Sequence, residues 1–261
     1  MKYKEYGTTI IFDSATGEVL IESNGSVLHP YWLERAKINR GSVQSIRVSG
    51  KIYLPKNARG YDPYTGEDIM LGGLTNLRHI NIQGFNTSLA TNMTHMFAGC
   101  ENLTQLDLRG MDTSNVEYMA NMFEDCNSLQ SLQLNDLDTS GVIDMSGMFC
   151  RCLSLKELDV AGLKTSNVTN MSEMFNECRA MTMVDLSSLD TSKVTHMYRM
   201  FDECCAMTAI VLSANTKNVE NMVYMFRNCA NLQTLKMNTT IDAGVDTTGM
   251  FQGCTALPVI Q

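Results

Sequence analysis

Hydrophobic and polar positions repeat along most of the chain with a period of 26 or 25 residues. A Met-Phe pair recurs seven times, and a Cys stands three residues after each Phe. The pairs begin at Met96, Met122, Met148, Met174, Met200, Met225 and Met250. A fixed period of this length is the signature of architectures in which similar units stack on one another. The sequence therefore predicts a solenoid of seven repeats.

Each repeat combines two spacings of apolar side chains. Leu106 and Leu108 alternate with polar neighbours, which predicts a short strand with one buried face. A second set follows at steps that fit one stripe of an α-helix. Its members are Val116, Met119, Met122, Phe123, Cys126 and Leu129. The polar residues 112–115 between the two sets favour a turn and a helix N-cap, so each unit is predicted to be strand, turn and helix.

Stacking of these units predicts an α/β fold of the leucine-rich-repeat type. One unit cannot cover its own apolar face, so the strands should form a continuous parallel sheet with neighbours about 4.8 Å apart. Helices need roughly 8–10 Å between their axes, so the stack is expected to curve with the sheet on its inner face. We therefore predict seven strand-plus-helix repeats in a domain spanning residues 71–261.

Residues 1–70 do not share the repeat and are predicted to form a small β-rich N-terminal cap or attachment domain. Two alternating runs, 8–12 and 18–22, flank turn-forming residues and predict a β-hairpin. Val43, Ile46 and Val48 resemble a degenerate repeat strand. We therefore expect this segment to join the sheet of the solenoid.

The repeat resembles that of the BspA-like leucine-rich-repeat surface proteins. The resemblance rests on the runs L-D-L at 106–108, D-T-S-N-V at 112–116 and T-N-M-S-E-M-F at 169–175, and it covers about residues 71–261. It implies surface adhesion or binding of a host protein, without catalysis. The leading hypothesis is accordingly a non-enzymatic protein-interaction or adhesion module displayed on a bacterial surface.

The N-terminus leaves two alternatives for where the protein acts. Residues 1–6 are charged and lead into only a short apolar run, so the continuous apolar stretch of a secretion signal is missing. No run approaches the roughly 18 apolar residues of a membrane helix, so no membrane insertion is expected. If a signal has been removed, we expect an extracellular or cell-surface protein. Otherwise we expect a bacteriophage virion protein with a structural, decoration or host-attachment role.

The charge balance disfavours nucleic acid as a partner. The chain has 28 Asp and Glu residues against 20 Lys and Arg, a net charge of −8, and its basic residues form no stripe. The sequence contains no phosphate-binding glycine loop, H-E-x-x-H motif or G-x-S-x-G motif. The four histidines are dispersed at positions 29, 79, 95 and 196. We therefore predict no catalytic site and no cofactor.

The cysteines and methionines are predicted to fill the core. Equivalent positions on neighbouring helices would lie about 8–10 Å apart, beyond the roughly 7 Å between Cα atoms that a disulfide allows. The C-x-x-C spacing of zinc sites is absent, and an odd total of nine cysteines fits reduced thiols. Thirteen of the twenty methionines fall in two columns at helical spacing, which favours core over a copper site. No metal site is therefore predicted.

Two columns of outward-facing strand positions are the candidate contact surface. The partner-binding candidates in these columns are Gln105, Asp107, Gln133, Glu157, Asp159 and Asp185. Neither column contains an aromatic residue, so a protein partner is favoured over a glycan. The acidic centre suits a basic patch on that partner or a weak Ca²⁺ site, and a solvated polar face is the alternative. The turns around Asp112, Asp138 and Asp190 are a second candidate surface.

The last repeat is predicted to leave an apolar edge open. Leu257, Val259 and Ile260 begin a further strand just before Gln261. Terminal repeats usually carry a polar cap. The uncapped edge therefore predicts truncation, an oligomer or larger assembly, or docking against a partner.

Overall fold

The computed structural model describes residues 1–59, 70–212, 215–237 and 241–257, which stack as the coils of a β-solenoid. One line of parallel bridges runs through successive coils. It joins Asn57, Asn92, Tyr118, Asp144, Asn170, His196, Asn221 and Asp246. The stack therefore has about eight coils, and the predicted count of seven repeats is wrong. The coil of Asn57 was missed because it contains no Met-Phe pair.

The N-terminal unit is a sheet that continues into the first coils. Strands β1 (Lys2–Glu5), β2 (Thr8–Asp13) and β3 (Glu18–Val27) pair antiparallel, which confirms the predicted hairpin. A short helix, α1 (Trp32–Arg35), follows. Strand β4 (Ser45–Tyr53) then pairs in parallel with β3, β5 (His79–Ile80) and β6 (Phe85–Asn86). The expected junction with the solenoid is therefore present, while the domain boundary at residue 70 stays a prediction.

The strand side of the solenoid carries short parallel strands. These are β7 (Gln105–Leu106), β8 (Ser131–Leu132), β9 (Met183–Asp185), β10 (Ala209–Leu212) and β11 (Thr234–Met237). β7 pairs only with β8, and β10 lies between β9 and β11. In the coil between β8 and β9, residues 157–160 form no strand. The predicted continuous sheet is therefore broken into separate pieces along this side.

The other side of each coil, residues 116–129 in one repeat, is a series of tight turns. The N–H groups of Met122, Cys126 and Leu129 each donate to a carbonyl three residues earlier, at 3.1–3.3 Å. The N–H groups of alternate residues donate to carbonyls of the next coil. These donors are Met119, Asn121, Phe123 and Asp125. The helical half of the strand-plus-helix prediction is therefore wrong.

Backbone conformation explains why the helix does not form. In each Met-Phe segment, two residues four positions apart have positive φ, such as Asn121 at 54° and Asp125 at 56°. The third position of a tight turn often requires positive φ, whereas a right-handed helix cannot contain it. Apolar residues spaced three or four positions apart fit both a series of tight turns and an α-helix. The hydrophobic pattern alone therefore could not distinguish the two structures. Glycine at the same positions, as in Gly147 and Gly253, was the available signal.

The core consists of identical positions stacked from coil to coil. Seven phenylalanine rings, from Phe97 to Phe251, lie in one pile with centroids 5.4–5.7 Å apart and planes within 16° of each other. This spacing is close to that of paired strands, about 4.8 Å, and far below the spacing of helices. The turn side is therefore only slightly wider than the strand side, and the helix spacing that predicted the curvature is absent.

The repeated cysteines lie in this core as free thiols. Cys126, Cys152 and Cys178 are fully buried, and each thiol donates to the carbonyl of a Phe in the preceding coil at 3.1–3.3 Å. Burial raises the pKa of the Cys178 thiol to about 12. The prediction of small, buried core cysteines is confirmed for these positions.

Candidate functional site

The strand face presents the predicted contact residues to solvent. Leu106 and Leu108 are buried while their neighbours Gln105 and Asp107 are exposed, which confirms the predicted alternation. Gln133, Glu157, Asp159 and Asp185 are exposed as well. Their availability for binding follows from this placement, and their role in binding stays a prediction.

A groove on this face brings three of the six residues together. It lies between the coils of β7 and β8 and has a volume of about 600 Å³. Gln105, Asp107 and Gln133 line it, whereas Glu157, Asp159 and Asp185 belong to later coils. The groove also contains residues that sequence reasoning missed, namely Arg109, Asn135 and Asp136. They lie in the turns that follow the strands, outside the two columns considered.

The groove is polar and only weakly acidic. Arg109 binds the Asp107 carboxylate through three contacts of 2.7–3.1 Å. These hydrogen bonds lower the pKa of Asp107 to about 2. Asp136 also lies close enough to help raise the pKa of Arg109, after the larger effect of Asp107. A strongly basic partner is therefore less well matched to the groove than the sequence suggested.

The other acidic side chains of the column have a local structural role. The Asp159 carboxylate accepts a hydrogen bond from the Ala161 N–H at 2.9 Å, and Asp185 accepts one from the Ser187 N–H at 2.8 Å. Hydrogen bonding by the side chain of Ser187, and then by its backbone N–H, lowers the pKa of Asp185. Such turns explain why Asp recurs directly after the strand without any partner. They favour the solvated-face alternative for Asp159 and Asp185.

The second candidate surface, the turns around Asp112, Asp138 and Asp190, is built in the same way. Each of these carboxylates accepts a hydrogen bond from the N–H of a serine two residues later, at 2.9–3.2 Å. The Lys164 ammonium also contacts Asp138 at 3.1 Å. Throughout the part of the chain that is described, no three His, Cys, Asp or Glu side chains are placed to hold a metal ion.

Charged residues on the turn side join neighbouring coils. The Asp202 carboxylate is buried and binds the Arg227 guanidinium at 2.8 and 2.6 Å. Arg227 in turn lies 4.8 Å from the centre of the Tyr224 ring. Asp125 and Arg151 form a similar pair at 2.8 Å. Sequence reasoning missed these pairs, although opposite charges one period apart were a visible signal.

The C-terminal edge is only partly described. Leu257 is half-buried and packs against the core. Val259 and Ile260 lie outside the described residues, so assembly through this edge stays a prediction. No helix in the described part of the chain is long and apolar enough to cross a membrane.

Stacked parallel coils, a continuous apolar core and exposed strand positions define a β-solenoid repeat protein. Residues 68–158 and 154–258 match the family described as Mycoplasma protein of unknown function, DUF285. The chain belongs to this family. No curated protein matches it.

Several solved structures are similar to the chain. A leucine-rich-repeat protein of T. pallidum is 16% identical, with a TM-score of 0.38 over 100% of this chain and 92% of that one. A leucine-rich-repeat protein of Eubacterium ventriosum is 15% identical, with a TM-score of 0.38 over 96% and 94%. A leucine-rich cell surface protein of Faecalibacterium prausnitzii is 12% identical, with a TM-score of 0.26 over 92% and 95%.

All three are bacterial proteins with leucine-rich sequences, the type of protein that the repeat resembles. At these identities and TM-scores the structures say nothing about function.

Proposed function

We propose that the chain is a non-enzymatic protein-interaction module that acts on a bacterial surface and binds its partner with the strand face. The contact is centred on the groove between β7 and β8. The observation that carries the proposal is the convergence of Gln105, Asp107 and Gln133 in one groove of about 600 Å³. These side chains point away from the core, so they are free to contact another molecule.

The chemistry of the groove indicates the kind of partner. Three amide side chains, Gln105, Gln133 and Asn135, can both donate and accept hydrogen bonds. The ion pair of Asp107 and Arg109 adds one charge of each sign. A polar protein surface with backbone or amide groups matches this set, whereas a strongly charged polymer does not.

Site-specific photo-crosslinking tests this proposal in cells that produce the protein. A photoreactive residue at position 133 should form adducts with one partner protein, because this position lies in the groove. The matched control is position 233, an exposed Gln on a later coil. Equal adducts at both positions would overturn the groove as the centre of the contact, and no adducts at either would overturn the strand-face proposal.

Affinity measurements with the captured partner then test individual residues. Gln133→Arg should weaken binding by about tenfold or more, corresponding to about 1.4 kcal/mol, because it fills the groove with a long cation. Gln233→Arg should leave binding unchanged. The double change Asp159→Ala and Asp185→Ala separates the groove from the remaining candidates, since unchanged affinity removes these two residues from the contact surface.

Labelling of intact cells tests the proposed location. A membrane-impermeant reagent that reacts with amines should modify exposed lysines such as Lys156 and Lys217 if the module faces the outside. Labelling that appears only after cell lysis would contradict surface display while leaving the interaction proposal standing.

A further inference from the structure

Charge is divided unevenly between the N-terminal unit and the solenoid. Residues 1–59 contain nine Lys and Arg against five Asp and Glu, a net charge of +4. Residues 60–261 contain 11 Lys and Arg against 23 Asp and Glu, a net charge of −12. The chain therefore has a basic unit at one end of an acidic molecule. Neither the repeat nor the proposed function gives this unit a role.

The basic charge that is open to a partner comes from lysines. Three arginines of the unit form ion pairs with glutamates: Arg35 with Glu5, Arg40 with Glu34, and Arg47 with Glu18. The other two acidic residues of the unit are Asp13 and Glu22. Its five lysines are exposed and form no ion pair with the described part of the chain. They are Lys2, Lys4, Lys37, Lys51 and Lys56.

Large apolar side chains protrude at one end of the same unit. Tyr6 in the β1–β2 turn is 82% exposed, Val27 at the end of β3 is 50% exposed, and Tyr31 at the start of α1 is 40% exposed. Tyr6 and Val27 line one small cavity with His29, whose ring lies 6.0 Å from the Tyr31 ring. Clustered exposure of large apolar side chains marks an interaction site.

Two of the exposed lysines flank this apolar cluster. Lys4 lies on the exposed face of β1, two residues before Tyr6. Lys51 lies on β4 opposite Asn24, which precedes Val27 by three residues on β3. We call this group of five residues the N-terminal tip. Its members are Lys4, Tyr6, Val27, Tyr31 and Lys51.

The shape of the tip indicates the kind of partner. The cavity between Tyr6, Val27 and His29 has a volume of about 20 Å³, which holds no more than one water molecule. A partner that inserts a group into a pocket is therefore excluded here. A lipid bilayer needs no concave site, because its headgroup region takes up protruding tyrosine rings, and anionic headgroups attract lysines.

We propose that the N-terminal tip binds the surface of an anionic lipid bilayer. Tyr6, Val27 and Tyr31 enter the headgroup region, and the ammonium groups of Lys4 and Lys51 lie against the anionic headgroups. The same headgroups repel the acidic solenoid, so the basic end of the molecule turns toward the bilayer. The tip lies outside the strand-face groove, so failure of either proposal leaves the other standing.

Cosedimentation of the full chain with lipid vesicles tests the proposal. Vesicles of equal parts phosphatidylglycerol and phosphatidylcholine should bind the chain at low ionic strength, and vesicles of phosphatidylcholine alone should bind it at least about tenfold more weakly. Salt at about 0.5 M should release most of the bound protein, because it screens the attraction between charges. Absence of binding to the anionic vesicles, or equal binding to both kinds, would overturn the proposal.

Charge substitutions locate the contact. Lys4→Gln together with Lys51→Gln should weaken binding to the anionic vesicles by about tenfold or more, since each lysine near such a surface contributes about fivefold. The matched control, Lys156→Gln with Lys217→Gln, removes two exposed lysines from the solenoid and should leave binding unchanged. The two double variants have the same net charge. Equal losses would show that total charge governs adsorption, and would overturn the assigned site.

A tyrosine substitution tests the apolar part of the contact. Asn tolerates the positive φ of 44° at position 6, so Tyr6→Asn should keep the thermal midpoint unchanged. Loss of the ring should weaken vesicle binding by about fivefold, because binding follows the apolar area that enters the bilayer. Tyr118→Asn is the matched control on an exposed tyrosine of the solenoid and should bind normally. Unchanged binding of Tyr6→Asn contradicts entry of the tip into the headgroup region.

Light scattering without vesicles distinguishes the bilayer from a second copy of the chain, whose acidic solenoid is also an anionic surface. We expect the wild-type chain and the Lys4→Gln, Lys51→Gln variant to have the same mass in solution. An oligomer of the wild-type chain that dissociates in this variant would assign the tip to a second copy, and would overturn the bilayer contact.

Discussion

The cysteine of each repeat combines small size with a weak hydrogen-bond donor. The Cys204 thiol donates at 3.1 Å to the Phe175 carbonyl, which also accepts the N–H of Cys178 at 3.1 Å. A backbone carbonyl has two lone pairs, and the thiol donates to the one that the Cys178 N–H leaves open, so the thiol contributes more than volume. Alanine could not make this contact and serine would bring a more strongly hydrated group into the core. This is a physical reason for cysteine to recur at the position.

Replacement of a central phenylalanine tests the stacked core. Phe175 is fully buried, with ring neighbours at 5.6 Å on one side and 5.4 Å on the other. Phe175→Ala should therefore lower the free energy of unfolding by about 3–5 kcal/mol, as for other emptied core positions. Chemical denaturation measures the change.

The control for this variant is the last ring of the pile. Phe251 has a described ring neighbour only on one side, at 5.5 Å, and is partly exposed. Phe251→Ala should cost clearly less than Phe175→Ala. Equal losses would show that stacking between coils is not what holds the central ring.

Replacement of a glycine that has positive φ distinguishes turns from a helix, because the two structures predict stability changes of opposite sign. Gly147 has a φ of 60°, and an added Cβ would lie 1.8 Å from Oδ1 of Asn121. Gly147→Ala should therefore destabilise the protein by about 1–2 kcal/mol. In a helix the same change would stabilise by about 1 kcal/mol.

Introduction of a glycine at an equivalent position should have the opposite effect on stability. Asn228 has a φ of 59° and is exposed. Asn228→Gly should be neutral or slightly stabilising, whereas in a helix it would cost several tenths of a kcal/mol. Thermal unfolding of both variants measures the pair. Stabilisation by Gly147→Ala together with destabilisation by Asn228→Gly would restore the helical interpretation.

At the scale of elements, the sequence correctly predicted which residues are buried. It was less successful in predicting the secondary structure that buries them. The stripe of Met119, Met122 and Phe123 is fully buried, as expected for a helix. The backbone instead alternates bonds within its own coil and bonds to the next coil. The apolar spacing in a sequence does not reveal which carbonyl accepts each backbone N–H. Tight turns and a helix therefore predict the same pattern of apolar residues.

The candidate groove shows a similar limit. The alternation around Leu106 and Leu108 placed Gln105 and Asp107 correctly on the exposed face. Their meeting with Arg109 and Asp136 depends on how the chain turns after each strand. The hydrophobic period contains no information on these turns. The outward columns were therefore predictable, and the groove was not.

An ion pair between turn segments provides the test at this scale. Asp202 is buried, and Arg227 supplies its two short contacts while Arg199 lies at 3.6 Å. Arg227→Ala should cost about 3 kcal/mol of stability, because it leaves the carboxylate buried without its main partner. Arg179→Ala is the matched control on an exposed pair with Glu203, and it should cost less than about 1 kcal/mol. Similar losses would mean that Asp202 is hydrated in the folded protein.

At the scale of the whole molecule, the two sides of the solenoid differ in how the coils are joined. On the turn side, the N–H groups of Glu173, Phe175 and Glu177 each donate to the following coil at 2.7–2.9 Å. On the strand side, pairing is interrupted, and no described backbone carbonyl accepts from the N–H groups of residues 157–160. The turn side is therefore hydrogen-bonded from coil to coil, whereas the strand side is less constrained at the coil of residues 157–160.

Hydrogen exchange should reveal this difference within a single coil. The amide of Phe175 should exchange only when neighbouring coils separate, because its acceptor, the Met200 carbonyl, belongs to the next coil. The amides of Glu157 and Asp159 need no such opening and should exchange about a hundredfold faster or more. Exchange measured residue by residue by NMR makes the comparison. Equal protection on both sides would mean that the strand side of this coil is as firmly joined to its neighbours as the turn side.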